Sequence, residues 1–172
     1  PDRDVWLTSI TEQWSVIALN GPNVRKLIAP FVEGIDLDKE AFPHMAIREG
    51  SIFGVPMRLF RVSFTGELGF EVNVPSGYGH GVWQRLIDAG AGLDIVPYGT
   101  EAMHVLRAEK GYIIVGQDTD GTQTPDDVGM AWAIAGTKPD FIGKRSLQRP
   151  DLRASGRKQL VGLLSEDPEY VL

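Results

Sequence analysis

The sequence predicts an α+β fold: a mainly antiparallel sheet with flanking helices, of the ferredoxin-like or split βαβ type. Two observations lead there. Period-two apolar runs follow one another through hairpin-like links, with helical runs set between them, in the order β-α-β-β-β-α-β-α. Gly and Pro, 20 and 11 of 172 residues, punctuate the chain too densely for a helical bundle.

The elements read as follows. Thr11–Leu19 is strand-like and ends at Asn20-Gly21-Pro22, where Pro22 suits a first helical turn and Asn20 or Gly21 can cap it. Val24, Leu27, Ile28 and Phe31 recur at helical spacing, and a short helical piece is expected from Asp38 to Phe42. Met45–Phe53 reads as a strand with a bulge or bend at Gly50. Met57–Phe64 is a strand whose alternation slips, since Met57 and Leu59 share one parity and Phe60, Val62 and Phe64 the other. A bulge near Leu59 and Phe60 accounts for the slip.

Thr65–Leu68 is a hairpin link, and Gly69–Val74 alternates cleanly, with Phe70, Val72 and Val74 opposite Glu71 and Asn73. Ser76 is a candidate cap for an amphipathic helix, Tyr78–Ala89, that turns Val82, Trp83, Leu86 and Ile87 inward. Leu93–Val96 is a short strand. Thr100–Glu109 is a second helix, presenting Ala102, Met103, Val105 and Leu106. Tyr112–Val115 and Met130–Ala135 are strand-like, Gln117–Asp127 is a long acidic loop, and Phe141–Leu147 is a turn and short helix.

Composition narrows the function. A net charge of −6 disfavours a nucleic-acid partner, and no apolar run is long enough to span a bilayer. There is no cysteine, so disulfides, thiolate metal sites and a thiol nucleophile are excluded, which fits a cytoplasmic location.

Familiar motifs fail on spacing. Gly77-Tyr78-Gly79-His80-Gly81 lacks the third glycine of a dinucleotide fingerprint, since Val82 stands there. Asp118-Thr119-Asp120-Gly121 opens like a calcium loop, but its twelfth position is Gly129, so a solvated acidic loop is expected and no metal site. His44, His80 and His104 share no ligand spacing, and no catalytic triad can be assembled.

Two charged residues remain. Glu71 lies mid-strand, opposite the Phe70, Val72 and Val74 face. If that face is solvent, it is an ordinary surface residue; if it lines a cleft, its carboxylate can accept paired N–H donors from an amino-substituted heterocycle. Arg107 lies within a largely apolar helix. It suits a surface ion pair with Glu101 or Glu109, or a guanidinium fork for a ligand carboxylate.

These residues fall inside a longer pattern. It runs Arg61-Val62-Ser63-Phe64-Thr65-Gly66-Glu67-Leu68-Gly69-Phe70-Glu71-Val72, Pro97 to Ala102, Leu106-Arg107-Ala108-Glu109-Lys110-Gly111, Gly116-Gln117-Asp118, Gly129-Met130-Ala131-Trp132 and Phe141-Ile142-Gly143-Lys144. The pattern resembles the aminomethyltransferase (glycine-cleavage T-protein) superfamily over most of residues 12–165. Within it, Tyr98 to Gly111 is most similar to the folate-binding region of the alpha subunits of heterotetrameric sarcosine oxidases.

The resemblance implies that Glu71 holds a pterin ring and that Arg107 and Phe64 also belong to a folate site, with no catalytic residue in this stretch. It implies a tetrahydrofolate region that takes up the one-carbon unit of sarcosine demethylation to give 5,10-methylenetetrahydrofolate. Flavin, NAD and the other subunits of a hetero-oligomeric oxidase would lie elsewhere. Aminomethyl transfer in glycine cleavage and a non-catalytic subunit-interaction module are the alternatives. Phe64, Met103-His104 and Val115 depart from the transferase pattern, which has Tyr, Arg-Asp and Tyr there.

The start at Pro1, and a final strand-like run Gln159–Leu164 with a tail Tyr170-Val171-Leu172, predict a chain truncated at both ends. The expected organisation is a folate-binding middle domain at 1–112, a segment at 113–158 completing a first domain, and the start of a carboxy-terminal barrel at 159–172.

Overall fold

The computed structural model describes residues 3–167 and 169. Tyr170, Val171 and Leu172, in the expected start of a third domain, lie outside the described residues. The chain divides into two compact units, Pro1–Tyr112 and Ile113–Leu172.

The first unit is α+β. Its strands are β1 (Trp14–Asn20), β2 (Val32–Glu33), β3 (Ile47–Ile52), β4 (Val55–Phe60) and β5 (Gly69–Pro75). They form one sheet in the order β1-β5-β4-β3-β2, and all four pairings are antiparallel. The helices are α1 (Val24–Ile28), α2 (Gly79–Gly90) and α3 (Thr100–Glu109).

Strand parity decides where the core lies. Ile17 and Leu19 of β1, Met57 and Leu59 of β4, Ile52 of β3, and Phe70, Val72 and Val74 of β5 are all buried. Val24, Leu27 and Ile28 of α1 and Val82 and Leu86 of α2 cover them, with Leu37 and Phe42. Removing such side chains from water stabilises the unit by about 1.5–3 kcal/mol each.

Neither expected bulge forms. Register is unbroken from Ile47↔Phe60 to Ile52↔Val55, and from Arg58↔Asn73 to Phe60↔Glu71. The slip in alternation has a simpler cause: β4 stops at Phe60, and Val62 and Phe64 belong to the connection that follows. Gly50 is needed for space. A Cβ there would stand 2.4 Å from the Glu33 carbonyl oxygen and 2.8 Å from Ile35 Cγ1.

Other elements shift. β1 begins at Trp14, behind a 3-10 turn at Thr11–Gln13, and α1 ends at Ile28. Asp38 to Phe42 makes one turn, closed by Phe42 N–H to the Asp38 carbonyl at 2.8 Å. Leu93–Val96 is no strand; a 3-10 turn, Ala91–Leu93, precedes irregular chain. Asn20 does not cap α1, because its side chain is used elsewhere, and Ser76 opens a 3-10 turn without capping α2. On α3 the expected face is misplaced: Ala102 and Val105 are exposed, and Arg107 is the buried residue.

The second unit has no named strand among its described residues. Tyr112–Val115, Met130–Ala135 and Gln159–Leu164, all expected as strands, are respectively irregular chain with one bridge (Val115↔Thr119), a region containing a 3-10 turn (Ala131–Ala133), and irregular chain. Phe141–Leu147 is a series of turns leading into a 3-10 turn at Ser146–Gln148. Apolar side chains alone do not make a strand. Trp132, Ile142, Leu163 and Leu164 of these segments stay exposed, so burial supplies no partner for their backbone.

Candidate functional site

All core residues lie on one side of the sheet, so β1, β3, β4 and β5 turn a second face outward. Cross-strand register places Ala18, Glu71, Phe60 and Ile47 in a single row across it. Neighbours in such a row have Cβ atoms about 5 Å apart. Glu71 is half-buried, Phe60 is half-buried, and Ile47 is 51% exposed. The Glu71 carboxylate makes no hydrogen bond or ion pair among the described residues. Its backbone carbonyl accepts from Asn73 Nδ2 at 3.2 Å, which holds the strand locally. A carboxylate set among apolar neighbours without a cation is an acceptor left for something else.

The flanks of this row are occupied differently. On one side Arg58 stacks over Trp14 at 4.7 Å and donates to Glu49 at 3.1 Å. On the other, Gly69 leaves room for polar groups. A Cβ at Gly69 would stand 2.5 Å from Asn20 Oδ1 and 2.6 Å from the Val62 carbonyl oxygen. Asn20 donates to the Tyr98 hydroxyl oxygen at 2.6 Å and accepts from the Ser63 hydroxyl at 3.2 Å. Ser63 in turn contacts the Thr65 hydroxyl at 3.2 Å.

A groove of about 560 Å³ runs along β1 beside this cluster. Ala18, the cross-strand neighbour of Glu71, is part of its wall, with Trp83, Tyr98, Met103 and Leu106. Trp83, expected inward, is 40% exposed and faces this space.

Phe64 and Arg107 come together through a third residue. The Phe64 ring stacks on Tyr112 with centroids 6.5 Å apart, and Arg107 Nη1 donates to the Tyr112 carbonyl at 3.1 Å. Arg107 is 7% exposed, so it is no surface side chain of the kind an Arg107–Glu101 or Arg107–Glu109 surface pair needs. Among the described contacts none joins Glu71 to Phe64 or Arg107. The sequence does not single out Phe60, the cross-strand neighbour of Glu71, or Asn20 and Tyr98, which line the groove. The parity that sets Phe60 apart from Met57 and Leu59 was the available signal for the first.

Residues 1–138 match the family model described as the GCVT N-terminal domain. The chain belongs to that family. Among curated proteins, this GCVT N-terminal domain chain is 48% identical over 168 residues to the sarcosine oxidase subunit alpha of Corynebacterium sp. (strain P-1), covering 97% of the chain and 17% of the relative. It is 43% identical over 171 residues to the subunit of that name from Rhizobium meliloti (strain 1021), covering 98% and 17%. It is 35% identical over 152 residues to the aminomethyltransferase of Halothermothrix orenii, covering 88% and 42%. The chain thus spans about a sixth of the length of the sarcosine oxidase subunits it matches. Among the described residues no helix is long and apolar enough to cross a membrane.

The GCVT N-terminal domain match ends inside the second unit, whose acidic loop is not simply solvated. Asp120 accepts from the Thr122 amide and hydroxyl, both at 2.7 Å. Asp127 is buried. It accepts from Thr124 N–H at 2.7 Å, Thr124 Oγ1 at 3.0 Å and Arg157 Nε at 3.0 Å, with a second bond from Arg157 Nη2. Its backbone carbonyl accepts from Leu160 N–H at 2.8 Å. A hollow of about 630 Å³ lies beside this anchor, and none of Glu71, Phe64 or Arg107 lines it.

Hydrogen bonds from Arg157, and then from the Thr124 amide, hold the Asp127 carboxyl well below the ordinary carboxylate value of 3.8. A lowered folded-state pKa means the unfolded chain binds the proton first. The anchor therefore contributes fully above pH 3.8, and its contribution erodes as pH falls further. Asp127→Asn is expected to release residues 157–160. The check is hydrogen exchange at the Leu160 amide, corrected for intrinsic rate. Protection should drop in the variant and should be constant in the wild type from pH 8 to about 5. Equal protection in both would show that Asp127 anchors nothing.

Proposed function

We propose that this chain is a tetrahydrofolate-binding region of a sarcosine oxidase-like enzyme, taking up the one-carbon unit released by oxidative demethylation. The observation that carries the reading is Glu71. Its carboxylate is free of any partner among the described residues and sits between Ala18 and Phe60 on the sheet's outer face. The amino and ring N–H groups of a pterin offer the paired donors a carboxylate accepts, and its flat faces suit apolar neighbours. The residues fit the group on those grounds. Glu71 would hold the pterin edge; Phe64 and Arg107 would serve the remainder of the folate.

Bound tetrahydrofolate supplies the amine nitrogens that take up the carbon. The protein's part is to orient it and to raise its local concentration, so that the reactive carbon is consumed before it diffuses away. The flavin, the NAD and the partner subunits of a cytoplasmic hetero-oligomer belong to other polypeptide. Residues 113–158 would complete a first domain, and 159–172 would begin a barrel domain.

The relatives' names support this reading, and the departures at Phe64, Met103-His104 and Val115 favour it over aminomethyl transfer. The test is product analysis on the intact protein with sarcosine. Added tetrahydrofolate should divert formaldehyde into methylenetetrahydrofolate without changing peroxide release, and to a greater extent than when it is mixed with the same amount of free formaldehyde. Formaldehyde yield independent of tetrahydrofolate would refute it.

A further inference from the structure

The polar cluster beside the groove has a direction. Asn20 Oδ1 can only accept, so the single proton of the Ser63 hydroxyl is committed to it at 3.2 Å. In the Ser63–Thr65 contact the proton must then come from Thr65. Thr65, which is buried, accepts in its turn from the Glu67 amide at 3.4 Å. At the other end Asn20 Nδ2 donates to the Tyr98 oxygen at 2.6 Å. Four bonds thus run one way, from Glu67 N–H through Thr65, Ser63 and Asn20 to Tyr98, and each polarises the next.

The chain ends on a donor that no described residue takes up. Tyr98 spends a lone pair on Asn20, and among the described residues nothing accepts its own O–H. The phenol is 38% exposed and lines the groove with Ala18, Thr65 and Glu67. Asn20 stands two residues along β1 from Ala18, the cross-strand neighbour of Glu71, a distance of about 7 Å. Glu71 itself does not line the groove, and a ligand that is held on Glu71 and crosses the β1 edge at Ala18 would meet a donor on Tyr98.

We propose that Tyr98 is a ligand-binding residue of this groove, donating its phenolic hydrogen to a carbonyl or carboxylate oxygen of the bound molecule. The inference rests on the folate reading and extends it. Glu71 would read the donor edge of the ligand and Tyr98 an acceptor. A pterin ring carbonyl and a benzoylglutamyl tail both carry such an oxygen.

The experiment is calorimetric titration of the intact protein with tetrahydrofolate, and with a tetrahydropterin that lacks the benzoylglutamyl tail. Tyr98→Phe keeps the ring and removes the donor; tetrahydrofolate affinity should fall about tenfold, and a thermal melt reports the fold separately. Asn20→Asp keeps the phenol but replaces the donor Nδ2 with an acceptor, so Tyr98 turns its hydrogen inward. A similar loss is expected, persisting at high salt where plain charge repulsion would be screened. Loss with both ligands places the acceptor on the pterin, and loss with tetrahydrofolate alone places it on the tail; either supports the proposal. Wild-type affinity in both variants, with Glu71→Gln still weakened, overturns it and leaves the folate reading standing. No tetrahydrofolate binding by the wild type removes both.

Discussion

Glu71→Gln should weaken tetrahydrofolate binding by about ten- to a hundredfold in the intact protein. The carboxylate offers only acceptors to the ligand, whereas the amide presents an N–H₂ where an acceptor is required. Pterin donors left facing that amide are unmet in a half-buried site, at a cost of about 1–3 kcal/mol. Shape is retained, so Glu71→Ala should cost about as much, and the agreement of the two would mark lost acceptors as the cause. Peroxide release on sarcosine should be unchanged, while the product moves toward free formaldehyde. Calorimetry showing wild-type affinity in Glu71→Gln would make Glu71 an ordinary surface residue of the strand.

Phe70→Ala, the neighbouring substitution on the opposite face, should strongly destabilise the first unit. Phe70 is 1% exposed and packs on Phe42 with ring centroids 5.7 Å apart. The guanidinium groups of Arg25 and Arg61 lie over its ring at 5.6 and 5.3 Å. Burial, and then the charge of Arg25, lowers the Arg61 pKa, and Arg25 Nη1 is buried with no hydrogen-bond partner among the described residues. The ring thus offsets two cations that lack a carboxylate partner among the described residues. Removing it opens a cavity at a cost of about 3–5 kcal/mol, against a whole-domain stability of about 5–15 kcal/mol. Denaturant titration is the check, and a loss below about 1 kcal/mol would show that the ring is not central to the packing.

Where period and burial agree, local sequence sufficed. Gly69–Val74 alternates because one face is core, and α2 turns Val82 and Leu86 inward as its spacing predicts. Where apolar residues stay in water, the pattern misled. Met130–Ala135 and Gln159–Leu164 have strand-like composition, but no strand among the described residues of the second unit pairs with them. The false bulge at Leu59 and Phe60 arose from reading a strand end as a register fault. The outward placement of Glu71 was legible because its strand is regular. The burial of Arg107 was not legible, because an arginine within an apolar helix gives no sign of which way it turns. Asn20 and Tyr98 meet across 78 positions of chain, a pairing that no local window contains.

The one-sided core also bears on how such a protein can change over generations. Alternate residues of each strand answer to different constraints: Phe70, Val72 and Val74 to folding, Glu71 and Asn73 to whatever the outer face meets. A substitution on the outer series leaves the packed series in place, and surface changes of that kind usually cost no more than about 0.5 kcal/mol. Ligand preference can therefore drift without first passing through an unfolded ancestor. That separation gives a physical reason why relatives bearing two different enzyme names, at 48% and 35% identity, can share one scaffold.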